Sequence, residues 1–125
     1  CAFVERFDAA RGVEDTSALE QLVLAGESLV FFPEGTFRRE PGLMAFRLGA
    51  FLCAARARVP LIPITLTGTR SLLRDGRWWP CHVPLAVVAG KPSHASGDDW
   101  RALLQLRDAA RQEIRARLQE PDVTV

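Results

Sequence analysis

The chain has 125 residues, 48% hydrophobic and 25% charged, the size and composition of one globular domain with a single core. A chain this long buries roughly two-thirds of its unfolded surface, so neither disulfides nor a structural metal is needed to hold it together. Sixteen basic against fifteen acidic residues leave a net charge of +1, which excludes the strong basic excess of a nucleic-acid-binding domain. No run approaches the ~18 uninterrupted apolar residues of a spanning helix, so any membrane contact is expected to be peripheral.

In chain order, the sequence opens on Cys1-Ala2-Phe3-Val4-Glu5-Arg6, which reads like the end of a strand and leads to the expectation that part of the unit lies upstream. Thr16 or Ser17 is placed to cap a helix through about Ala25, with Leu19, Leu22 and Val23 at helical spacing and Gly26 as its stop. Ser28 to Phe32 reads as a buried strand, ended by the polar turn Pro33-Glu34-Gly35-Thr36. Met44 to Ala57 is apolar on almost every face and predicts a helix buried on most sides, ended by Pro60. Leu61 to Leu66 is a second strand candidate, with Pro63 suited to an edge or a bulge. After the Asp75-Gly76 turn and Trp78-Trp79-Pro80, a strand is expected around Val83 to Ala89. Asp98 or Asp99 can cap a final helix over about residues 100–120, with Trp100, Leu103, Leu104, Ala110, Ile114 and Leu118 on one face. This alternation of short β-type and longer helical runs is that of an α/β domain. Cys1, Cys53 and Cys81 are odd in number and lack C-x-x-C spacing, so a reduced, cytoplasmic environment is expected and a zinc knuckle is not.

The informative motif is Phe32-Pro33-Glu34-Gly35-Thr36, followed by Arg38 and Arg39. Ligands in open α/β sheets bind beyond the carboxyl ends of strands, where this turn is expected to sit. Gly35 lets a backbone N–H approach an anion, Thr36 offers a hydroxyl, and Arg39 can make a bidentate contact to phosphate. Glu34 is an anion, so its role is to orient an Arg, with Arg6 as candidate, or to accept a hydrogen bond from a substrate hydroxyl. A solvated turn with scattered charges is the alternative reading. Arg38, Arg39 and Arg47 form either a basic patch for phosphate or CoA or a solvated face diluted by Glu40.

These residues resemble the glycerolipid acyltransferase family, the group that contains 1-acylglycerol-3-phosphate acyltransferase. Phe32 to Thr36 is similar to the family's third sequence block. Phe3 to Arg6 is similar to the second, and Val59-Pro60-Leu61-Ile62-Pro63-Ile64 to the fourth. Gly42 to Phe51 resembles the segment that links blocks three and four, and Val87 to Pro92 the strand that leads into the last helix. The resemblance implies an α/β fold with a mixed sheet flanked by helices. On this reading residues 1–125 are the C-terminal part of one acyltransferase domain, with blocks at 3–6, 32–36 and 59–64.

It also implies a reaction. A fatty acyl group moves from acyl-CoA or acyl carrier protein to the hydroxyl of a lysophospholipid or glycerol phosphate, with no metal and no bound cofactor. The implied acceptor-binding residues are Arg6, Glu34, Gly35, Thr36 and Arg39; Val59, Pro60 and Ile62 are implied on the acyl side. Where many members have Arg directly after the Thr, this chain has Phe37, which removes one phosphate contact. The family's general-base His, oriented by an Asp five positions later, belongs to the first block, expected upstream of Cys1, so residues 1–125 alone are expected to be inactive. His94-Ala95-Ser96-Gly97-Asp98-Asp99 spells the same spacing, but it follows the fourth block and its Asp residues serve to cap the last helix. The alternative is a noncatalytic lipid- or phosphate-binding module derived from the same fold. The location implied is cytoplasmic, at the inner face of the membrane, with Trp78-Trp79 as a candidate interface anchor or core pair.

Overall fold

Helix stops and caps set the frame. The computed structural model describes residues 9–36, 41–72, 79, 82–97 and 99–118. Helix α1 runs Ala9–Leu24, starting before the Thr16–Ser17 pair expected to cap it. It closes where expected: Gly26, at φ +93, donates its N–H to Val23 O (2.9 Å), and the Glu27 N–H goes to Leu22 O (3.0 Å). This pair of crossed bonds satisfies carbonyls left open at a helix end.

Residues 28–32 form no ladder with any described residue, and Val30 and Phe32 are 78% and 77% exposed. The expected buried strand is therefore not formed among the described residues. An apolar β-type run states a local preference, whereas a strand needs a partner's N–H and C=O groups.

Helix α2 covers Gly49–Ala57, five residues shorter at its start than the expected helix from Met44. The Met44 N–H goes to Glu34 Oε2 (3.0 Å) and the Arg47 N–H to Pro33 O (2.8 Å), which ties residues 44–47 to the preceding turn, and the Met44 carbonyl, which a helix starting there would use, accepts from Arg111 Nη2 (3.4 Å). At its other end, Arg58 takes the left-handed conformation (φ 53) and donates to Ala55 O, while the Val59 N–H reaches Ala54 O. The fourth block thus begins as the closing turn of α2.

Strand β1, Ile64–Thr67, pairs antiparallel with β2, Ala86–Ala89, in the register Ile64↔Ala89 to Thr67↔Ala86; the short helix α3, Thr69–Leu72, follows β1. The pairing resumes at Leu61↔Ser93, with reciprocal N–H···O bonds of 2.8 Å. Between the two, residues 62–63 lie opposite residues 90–92, one residue more, which is a bulge. Pro63, which has no N–H to give, sits there and accepts from the Gly90 N–H (2.7 Å).

Helix α4, Trp100–Arg117, is capped by Asp99, whose side chain accepts from the Ala102 N–H (3.2 Å). Its buried stripe is Ala102, Leu103, Leu106 and Ala110, whereas Trp100, at the start of the first turn, is 62% exposed instead of packed. The core joins α2 to α4 through Leu43, Phe46, Phe51, Ala55, Leu103, Leu106 and Ala110. Phe46 and Phe51 stack with centroids 6.3 Å apart. Helix α4 also packs against β1 of the antiparallel pair, whose partner β2 is exposed, and helices with strands are in keeping with the α/β class.

Candidate functional site

The third-block residues form one tight turn. The Gly35 N–H donates to Phe32 O (3.1 Å), which places Pro33 and Glu34 at its centre. Proline favours the first central position because its ring presets φ. Gly35 follows at φ +68, a conformation that side-chain-bearing residues avoid. Its N–H closes the turn, and the glycine serves its positive φ and a close neighbour. A Cβ at Gly35 would stand 2.5 Å from Arg47 Nε and 2.7 Å from Arg47 Cδ.

Glu34 is half-buried, and its Oε2 holds the backbone of Met44 across a ten-residue separation. Its observed partner is thus a main-chain N–H. Arg6, its expected partner, and Arg39 lie outside the described residues, as do Phe37 and Arg38. Thr36 is exposed beside the turn. The site therefore combines a carboxylate with one oxygen already engaged, a hydroxyl, and the guanidinium of Arg47, in one loop.

Helix α4 supports this loop from behind. Arg111 Nη2 donates to Leu43 O (3.1 Å) and Met44 O (3.4 Å), and its guanidinium lies 5.7 Å from the Phe46 ring centroid. Arg111, adjacent to Ala110 at the edge of the buried stripe, turns inward. That adjacency was the available signal.

Of the residues implied on the acyl side, Val59 is half-buried, Pro60 is exposed and Ile62 is 48% exposed. Val59 lines a recess of about 460 Å³ together with Glu20, Arg56, Arg58, His94 and Ser96. No residue of the Glu34 turn lines it. His94 thus stands beside the fourth block and not at the Glu34 turn, while Asp99 is engaged in capping α4. Asp98 lies outside the described residues. Cys53 is buried, and burial together with the nearby Glu20 charge pushes its thiol pKa up, so it packs as a small apolar group. Trp79 is 76% exposed; Trp78 lies outside the described residues. Among the described residues, no helix is long and apolar enough to cross a membrane.

The α/β fold and the third-block turn together define the class, and the family model described as Acyltransferase matches residues 1–67: the chain belongs to the acyltransferase family. Within it, the chain is 34% identical over 118 residues to a 1-acyl-sn-glycerol-3-phosphate acyltransferase of Chlamydomonas reinhardtii, covering 92% of this chain and 34% of that protein. It is 36% identical over 112 residues to the chloroplastic 1-acyl-sn-glycerol-3-phosphate acyltransferase BAT2 of Brassica napus, covering 89% of this chain and 31% of that one. The chain thus spans about a third of the length of these curated relatives. The crystal structure of the 1-acyl-sn-glycerophosphate acyltransferase PlsC from Thermotoga maritima shares the fold, with a TM-score of 0.66 at 20% identity, over 87% of this chain and 47% of that one.

Proposed function

We propose that this chain is the acceptor-binding part of an O-acyltransferase. The whole protein would move a fatty acyl group from acyl-CoA or acyl carrier protein to the free hydroxyl of a lysophospholipid or glycerol phosphate. The observation that carries this reading is the third-block turn, tied to Met44 by its own glutamate and overlain by Arg47, in a chain of the acyltransferase family. The relatives named above, 1-acyl-sn-glycerol-3-phosphate acyltransferases, support the acceptor class.

In this reaction the acceptor oxygen attacks the thioester carbonyl while a general base takes its proton. The C–O bond forms, the C–S bond breaks, and the proton passes to the departing thiolate. The base is the His of the family's first block, oriented by its Asp, in the longer protein. Arg6, Glu34, Gly35, Thr36 and Arg39 form the acceptor side. Glu34 keeps the loop in shape through Oε2 and offers its second oxygen to a substrate hydroxyl; Thr36 and Arg39 meet the phosphate. Val59, Pro60 and Ile62 border the acyl chain. The protein works at the cytoplasmic face of the membrane through peripheral contact, a reading supported by the exposed indoles of Trp79 and Trp100.

The test is acyl transfer by the complete protein, with labelled acyl-CoA or acyl carrier protein and either lysophosphatidic acid or glycerol 3-phosphate. Glu34→Ala removes both the tether and the charge and is expected to lower transfer roughly 100-fold through mispositioning of the acceptor. Glu34→Gln keeps an oxygen for the Met44 N–H and separates loop shape from charge. Wild-type rates in Glu34→Ala would remove Glu34 from the site. Phosphate or lysolipid binding without any transfer would favour the noncatalytic module.

A further inference from the structure

We infer that Arg47, laid across the Gly35 turn, binds the phosphate of the acceptor. This rests on the acceptor-binding reading above. Arg47 comes twelve residues after Gly35 in sequence, yet the structure lays its side chain directly across that glycine. A Cβ on Gly35 would stand 2.5 Å from its Nε, 2.7 Å from its Cδ and 3.2 Å from its Cζ. Only a glycine leaves room for the guanidinium in this place.

The backbone holds it there. The Arg47 N–H donates to Pro33 O (2.8 Å), and Met44, three residues earlier, is bound by Glu34 Oε2 (3.0 Å). The preceding residue, Phe46, is only 6% exposed and stacks on Phe51, and Arg111 lies over its ring. The segment leading into the arginine is thus fastened, while Arg47 itself is exposed to solvent. Among the described residues it has no ion-pair partner, and Glu34, the carboxylate of the same turn, accepts its observed bond from the Met44 main-chain N–H.

An exposed, positioned guanidinium without a carboxylate partner is suited to an external anion. Its planar fork matches two phosphate oxygens at once, which a point charge on a flexible stem does not. Packing of the stem on Gly35 lowers the side-chain entropy lost when the anion binds. Thr36, next along the loop and exposed, carries a neutral donor.

The test uses the complete protein, with lysophosphatidic acid varied at saturating acyl donor. Arg47→Ala is expected to raise the acceptor KM roughly tenfold or more, the size of a lost charged hydrogen bond. The donor KM is expected to stay within about twofold, as is every constant of Arg101→Ala, an exposed charge on α4. Arg47→Lys should recover part of the loss. Inorganic phosphate should compete with the acceptor in the wild type and lose potency in Arg47→Ala. An unchanged acceptor KM, or acceptor and donor KM rising together, would overturn the inference and leave the acyltransferase reading intact. If the wild type transfers no acyl group, that reading fails, and calorimetric binding of glycerol 3-phosphate decides Arg47 alone. Affinity weakened roughly tenfold in Arg47→Ala sustains it; equal affinity, or no binding by the wild type, refutes it.

Discussion

Gly35 ties shape to chemistry at the scale of one residue. Its φ of +68 and the Arg47 side chain above it both exclude a Cβ. Gly35→Ala is expected to cost about 1 kcal/mol or more from backbone strain alone, read as a lowered thermal midpoint. Displacement of the guanidinium adds to this, so combining Gly35→Ala with Arg47→Ala should give less than the sum of the two losses, a coupling that a double-mutant cycle measures. The motif was visible in the sequence, as were the residues for hydroxyl and charge. What the glycine is for was not, because that depends on a side chain twelve residues away. Arg47 was visible only as one of three arginines that form either a basic patch or a solvated face.

Among the elements, α4 does two jobs that its amphipathic pattern announces unequally. Its cap and buried stripe follow from Asp99 and the 3.6-residue period, and they were legible. Its tethers were not. Arg111 reaches carbonyls 68 and 67 residues back, and Glu113 Oε1 accepts from the Lys91 N–H (3.2 Å) and from Arg117 Nη1 (2.8 Å), joining α4 to the end of β2. The Arg117 bond first, and then the Lys91 N–H, hold the Glu113 carboxyl below the ordinary Glu range. A carboxyl depressed in the folded state binds fewer protons there than in the unfolded chain. Its contribution is therefore complete above the unfolded pKa and lost as pH falls through the native value. Glu113→Gln is expected to lower the thermal midpoint slightly at neutral pH, as an exposed pair allows, with the difference vanishing in acid. Thermal melts of both proteins across the acidic range check this.

For the whole molecule, the α2–α4 core carries the site loop, since Phe46 lies within it between Met44 and Arg47. Phe51, 2% exposed, is its largest fully buried side chain, and Phe51→Ala is expected to cost about 3–5 kcal/mol by denaturant unfolding, as for a phenyl ring removed from a packed core. By itself the sequence determined a final helix, expected over about residues 100–120 and found at Trp100–Arg117, the stop of α1 at Gly26, an edge or bulge place for Pro63, the order of the blocks and, through them, the family. These depend on periodicity, caps and turn residues, which act over a few positions. Only the tertiary structure decided that residues 44–47 bond back to the Glu34 turn instead of starting a helix. It alone left residues 28–32 without a ladder among the described residues, and it alone set Arg47 on Gly35 and Arg111 on Leu43. Each of these is a contact between distant segments, where one backbone donor or one guanidinium can satisfy only the partner that folding brings within reach.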